Sequence, residues 1–178
     1  MNLILEAEKF AEPYYKIETN TDNKQGKFLR THVSLVKKFA LEIGKHENAD
    51  LLVLEIVAET HDVAKNIDKE NHQELGSKIV AKFLEDKDLE EKRKKLIVEC
   101  VAKHGLKCRG QKDKLEVVII RTADAMAVLF DDEWQANRRK AKTKEKMIEK
   151  YDKLLAKVQI ESEIPKAKTR IEYLKLLL

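Results

Sequence analysis

Four histidines and one aspartate fall where side chains should face a protein interior. His32 lies four residues from both Phe28 and Val36 and shares their stripe with Phe39. His61 continues a face through Val57 and Ala58, His72 lines up with Gly76 and Ile79, and His104 lines up with Ile97 and Val101. Asp124 falls four residues after Ile120 and four before Val128. A single inward histidine is ordinarily a neutral, hydrogen-bonded core residue, and the aspartate changes that reading. An unpaired buried carboxylate costs several kcal/mol, against a total stability of about 5–15 kcal/mol. It needs a cation, and inward imidazoles without a basic partner point to a metal ion.

The elements that must position these residues are helical. Apolar residues recur at helical spacing nearly everywhere, with no repeat, low-complexity tract or Ser/Pro-rich linker. The spacing predicts a first helix over about Leu3–Glu12, stopping near Pro13, and a polar loop over Glu18–Lys24. A second helix, Lys27–Lys45, carries Phe28, Leu35, Val36, Phe39 and Ile43 on one side. Asn48 or Asp50 caps a third, Leu51–Thr60, which ends near His61-Asp62. A fourth spans Lys69–Glu85 with Leu75, Ile79 and Phe83 inward. The fifth, Leu89–Lys103, ends at Gly105, where a loop runs to Gly110. The sixth, Lys114–Phe130, is the most apolar and the most buried. A seventh covers Lys140–Gln159, and Pro165 fits the first turn of a last helix. The expectation is an all-α bundle of seven or eight helices forming one domain over 1–178. Its motif core is 27–130, and helices over 140–178 pack on it.

Composition agrees with that class. The chain has 178 residues with only five Gly and two Pro, too few for the frequent turns of a sandwich or barrel. Its 43% hydrophobic content is too high for a disordered chain. No uncharged run exceeds six residues, which argues against a transmembrane helix or signal-peptide core and for a soluble, cytoplasmic protein. Cys100 and Cys108 belong to no CxxC or Cys/His cluster, so they read as reduced thiols rather than zinc ligands. A formal charge of +4 leaves anionic small molecules unrepelled.

The order of the chemical residues is more specific than their types. His32, then His61-Asp62, then Asp124 resembles the H…HD…D pattern of the HD-domain superfamily of metal-dependent phosphohydrolases. ThrHisAspValAlaLys at 60–65 looks like that family's HD-(I/V)-(G/A)-K segment, and AsnHisGlnGluLeuGlySer at 71–77 resembles its H-x-E-x-G-A motif. ValAlaLysHisGly at 101–105 and ThrAlaAspAlaMet at 122–126 resemble its later histidine and closing A-D element. The tail, with TyrAspLysLeuLeu at 151–155, is similar to that of small HD hydrolases whose relatives act on nucleotides. The resemblance implies that His32, His61, Asp62 and Asp124 coordinate a divalent metal. Imidazole nitrogen with carboxylate oxygen suits Mn²⁺, Fe²⁺, Ni²⁺, Co²⁺ or Zn²⁺, with Mg²⁺ also admitted. In relatives with two ions, Asp62 bridges and the histidines matching His72 and His104 take the second. In relatives with one, these two line the phosphate site. Lys65 matches a residue that stabilises charge on the phosphoryl group.

The chain departs from the pattern at Leu35, where many relatives carry Arg, and at Glu59-Thr60, where they carry two apolar residues. Asn71 and Gly105 stand where a second histidine often adjoins His72 and His104. The expected activity is hydrolysis of a phosphoester or phosphoanhydride of a small phosphorylated molecule, a nucleotide by preference. One ion is expected, and two are allowed. A di-iron oxygenase is the first alternative, permitted by His72 and His104. The second is a non-catalytic module binding a nucleotide or RNA. Between Trp134 and Gln159 nine Lys/Arg face three Asp/Glu, but no aromatic interleaving offers bases a place to stack. That run reads as a solvated helix face, and nucleic acid is not the expected partner. His46, between Lys45 and Glu47, reads as a surface residue.

Overall fold

The computed structural model describes residues 2–15, 24–105 and 112–178, with side chains in the second helix from residue 29 onward. The Phe28 side chain, most of the predicted loop over 18–24, the loop over 106–110 and Cys108 lie outside them. Nine α-helices are described: α1 (Leu3–Tyr15), α2 (Lys24–His46), α3 (Leu51–Thr60), α4 (His72–Leu84), α5 (Glu91–Lys103), α6 (Leu115–Phe130), α7 (Asp132–Ala141), α8 (Lys144–Lys157) and α9 (Ile164–Leu176). None is long and apolar enough to cross a membrane.

Local chemistry explains the boundaries. Asn48 adopts a left-handed conformation, φ 56°, and ends α2. Asp50 opens α3 by accepting a hydrogen bond from the Val53 N–H at 3.3 Å. α2 and α3 then cross so closely at Gly44 that a Cβ there would strike the Leu54 side chain. Pro165 sits in the first turn of α9, where its missing N–H costs nothing.

Three expectations are corrected. α1 does not stop near Pro13 but continues to Tyr15. Tertiary contacts hold that last turn, with the Tyr15 hydroxyl donating to the Glu59 carbonyl at 2.6 Å and Asn66 donating to the Tyr14 carbonyl at 2.9 Å. On α4 the fully buried face is Gly76, Val80 and Leu84, one residue on from the predicted stripe; Leu75 is half-buried, and Ile79 and Phe83, partly buried, do pack against the core. The predicted seventh helix, Lys140–Gln159, is α8 over Lys144–Lys157, and α7 before it is a helix the spacing did not predict. Asp131 caps α7 through the Trp134 N–H at 2.8 Å, and Thr143 starts α8 afresh by accepting from Lys146.

α6 is the axis of the packing. α2, α3 and α5 lie against it, with α1 behind α3 and α4 behind α5. Its last turns, from Ala125 to Leu129, instead meet Met147, Tyr151 and Leu154 of α8 and Ala167, Ile171 and Leu174 of α9. Polar groups in this second cluster are paired. Tyr151 donates to Gln135 at 3.0 Å, and Gln135 donates to the Val128 carbonyl at 2.8 Å, joining α7 and α8 to α6. Arg121, wholly buried, donates to Asp113, the Lys103 carbonyl and Gln159 at 2.7–2.9 Å, fixing the C-terminal end of α5 against α6.

Candidate metal centre

The last turn of α3 and the turns that follow it deliver the HD pair. The His61 N–H still bonds the Val57 carbonyl at 2.8 Å, so the chain remains helical through His61 and places Asp62 beside it. His32 arrives from α2, His72 from the first position of α4, His104 from the C-terminal cap of α5, and Asp124 from the middle of α6. All but His72 are buried, and His72 is half-buried. Glu59 and Thr60, polar where apolar residues were expected, are satisfied. Lys37 pairs with Glu59 at 3.1 Å, and the Thr60 hydroxyl donates to the Ile56 carbonyl at 2.8 Å.

The predicted residues come together around the Asp62 carboxylate. His32 Nε2 lies 3.4 Å from His61 Nε2, 3.7 Å from Asp62 Oδ2 and 3.1 Å from Asp124 Oδ1. His61 Nε2 is 3.5 Å from the same Asp62 oxygen. The other oxygen, Oδ1, faces His72 Nε2 at 3.5 Å and His104 Nε2 at 3.6 Å, and those two nitrogens are 3.3 Å apart. Asp62 thus divides its oxygens between two histidine pairs. His32, His61 and Asp62 form one group close enough to hold an ion, and Asp62, His72 and His104 form a second.

Backbone carbonyls fix the ring protons. Nδ1 of His61 bonds the Ala58 carbonyl at 2.9 Å, that of His72 the Lys69 carbonyl at 2.9 Å, and that of His104 the Val101 carbonyl at 2.7 Å. A carbonyl only accepts, so Nδ1 carries the hydrogen and Nε2 of each neutral ring presents a lone pair. Burial pushes His61 down to about 3 and also lowers His72. Lone pairs facing one another near 3.3 Å beside a buried carboxylate oxygen that makes no hydrogen bond, Asp62 Oδ1, form a donor set suited to a shared cation.

Two lysines complete the electrostatics. Lys65 Nζ lies 2.5 Å from Asp62 Oδ2, and Lys157 of α8 is ion-paired with Asp124. Burial alone would raise both carboxyl groups, but the Lys65 ammonium on Asp62 and the Lys157 ammonium on Asp124 hold each well below the usual carboxylate range. Lys65 is itself lowered by burial and raised more strongly by Asp62 and Asp124, for a net rise. Sequence reasoning found Lys65 and missed Lys157. The available sign was its place on the inner stripe of α8, three residues beyond Leu154, within a run read as a solvated face. His46 is exposed and bonded to Glu47, as read from its neighbours.

The family model for the HD domain matches residues 29–129, more than half of the chain. The chain belongs to the HD domain family. Its fold is similar, with a TM-score of 0.67 at 15% identity, to a crystal structure described as a predicted HD superfamily hydrolase from an uncultured Thermotogales bacterium. That similarity covers 97% of this chain and 87% of the other. No curated protein matches the chain. The HD match ends at the last turn of α6, so α7, α8 and Lys157 lie beyond it.

Proposed function

We propose that this HD protein is a metal-dependent phosphohydrolase acting on a phosphoester or phosphoanhydride bond of a small phosphorylated molecule in the cytoplasm, with nucleotides as the favoured class. Residues 1–178 act as one domain, α7–α9 packing on the HD core. The observation that carries the reading is the division of Asp62 between two pairs of Nε2 lone pairs. His32, His61, Asp62 and Asp124 would hold one divalent ion, and Asp62, His72 and His104 a second. When bound, such ions acidify a water and polarise a phosphoryl oxygen.

The remaining work falls to the chain. The carbonyls of Ala58, Lys69 and Val101 keep each imidazole turned with its lone pair inward, so no ring must reorient or lose a proton. Asp62 is fixed by its burial. The Lys65 ammonium, on the rim at 28% side-chain exposure, is placed to stabilise charge building on phosphoryl oxygens. A screen of nucleotides and phosphomonoesters against Mn²⁺, Co²⁺, Ni²⁺, Fe²⁺, Zn²⁺ and Mg²⁺ tests the proposal. Phosphate release that stops with a chelator supports it. No release from any member of either class overturns it.

The second pair, His72 and His104, also favours a two-iron oxygenase as the alternative. Anaerobic purification followed by iron and oxygen-consumption assays separates the two readings.

A further inference from the structure

Two ammonium groups reach the ligand set from different elements. Lys65 comes from the turns after α3 and meets Asp62, whereas Lys157 comes from α8 and meets Asp124. The Lys157 side chain is 14% exposed, deep for a lysine. Lys150 precedes it by seven residues and so lies two turns back on the same face of α8. Its ammonium stands 6.0 Å from the Trp134 ring centre, and the Arg138 guanidinium lies 5.3 Å from the same ring. Lys150 is exposed as a residue, yet desolvation lowers its pKa from the usual value. Lys157, Lys65 and Arg138 repel its charge while Asp124 attracts it. These groups therefore share one electrostatic field.

Charge then decides the ligand. Asp62 and Asp124 are neutralised one for one by Lys65 and Lys157. A divalent ion on those carboxylates leaves both ammoniums in excess, tethered beside it on flexible stems, with Lys150 and Arg138 further along. From Lys157 to Lys150 the row is about 10 Å long at the helical rise of roughly 1.5 Å per residue. One phosphoryl group is shorter than that row, and a chain of two or three phosphates matches it.

We propose that α8, outside the segment matched to the HD family, supplies half of the substrate site. Lys157 and Lys150 bind the phosphoryl groups adjoining the one attacked, so the substrate is a nucleoside di- or triphosphate or another linear polyphosphate ester. This rests on the phosphohydrolase reading above.

The test is calorimetric titration of the full chain, in one fixed excess of Mn²⁺, with inorganic tripolyphosphate and with orthophosphate. Lys157→Gln and Lys150→Gln should each weaken tripolyphosphate about fivefold or more and orthophosphate less than twofold, with metal content unchanged. Lys157→Arg should restore most of the affinity. Lys153→Gln, on the exposed face of α8 and paired with Glu149, is the control and should change neither ligand. Lys150→Gln is the safer variant, because Lys157 also neutralises Asp124. On a triphosphate substrate the two glutamine variants should raise KM far more than they lower kcat. Equal losses for both anions, or none, overturn the clamp while leaving hydrolysis of monoesters intact. Selective tripolyphosphate binding without hydrolysis of any nucleotide or monoester upholds the clamp and overturns the phosphohydrolase reading instead.

Discussion

The Nε2 atoms of His72 and His104 stand 3.3 Å apart, each ring donating its Nδ1–H to a backbone carbonyl. Two lone pairs so placed, with Asp62 Oδ1 3.5 Å and 3.6 Å away, are tolerable when a cation lies among them. His72→Ala or His104→Ala should therefore reduce bound metal from two ions to one per chain and lower turnover. Elemental analysis after dialysis against Mn²⁺ checks the stoichiometry. Two ions retained in both variants would make these rings core histidines.

Asp62 serves both groups, so its loss should cost more than the loss of any one histidine. Asp62→Ala should abolish metal-dependent hydrolysis, with kcat/KM down at least about 10³-fold, a loss of roughly 4 kcal/mol. The fold should survive, because α3 and α6 are held by apolar packing on either side of the site. Circular dichroism and a rate assay on the same preparation separate lost chemistry from lost structure.

Much of this was legible in the sequence for a simple physical reason. His32, His61 and Asp124 are each flanked at helical spacing by residues that must be inside, so their own burial followed, and a buried carboxylate demands a cation. The order of the HD elements pointed to Asp62, the remaining member of the cluster. What could not be read depends on distant chain. Whether Pro13 ends α1 is decided by Glu59 and Asn66, which grip Tyr15 and Tyr14 from far along the sequence. α7 is polar enough to pass for a linker, although Asp131 and Thr143 were available as cap residues. Lys157 is one of nine basic residues in its stretch. A lysine at the edge of an apolar stripe points either to water or to a buried acid, and only the approach of α8 to α6 decides which.

Acid should weaken the metal-free protein. The His61 pKa falls to about 3 in the folded state through burial, below the ordinary value of about 6.5 it regains on unfolding. Between those values the unfolded chain binds the extra proton, so stability drops as pH drops, by up to about 1.4 kcal/mol per unit. His72, also lowered, acts in the same direction. Asp62 and Asp124, held below the carboxylate range, add a further loss once pH passes below about 4. Urea melts in EDTA from pH 7 to pH 4 should show a falling midpoint, and a flat profile would contradict the buried neutral state of His61.

Arg121 is wholly buried in the core, with Asp113 at 2.9 Å as an acid partner. Replacing it by Met keeps much of the apolar volume but takes the guanidinium donor from the Lys103 carbonyl, Asp113 and Gln159. Breaking a buried pair in this way should cost about 3–5 kcal/mol in urea unfolding. The Lys103 carbonyl immediately precedes His104, so Arg121→Met should also loosen the second ion before the first. A melt unchanged within about 1 kcal/mol would show that water replaces the guanidinium.

Lys65 offers the sharpest division between a role in catalysis and a role in folding. Its ammonium lies 2.5 Å from Asp62 Oδ2 with 28% of the side chain exposed, so it touches a site residue yet remains within reach of a bound phosphate. Lysine presents a point charge on a flexible stem, useful to a phosphoryl group whose charge grows in the transition state. On that account Lys65→Ala should lower kcat/KM by about 10²-fold or more, a loss of roughly 2.7 kcal/mol, at unchanged metal content. Lys65→Arg should recover part of the rate because the charge returns in a different shape. If the lysine merely balanced Asp62 in the metal-free protein, Lys65→Ala should bind metal at least as well as wild type and keep its rate within threefold. That result at saturating metal would remove Lys65 from the site.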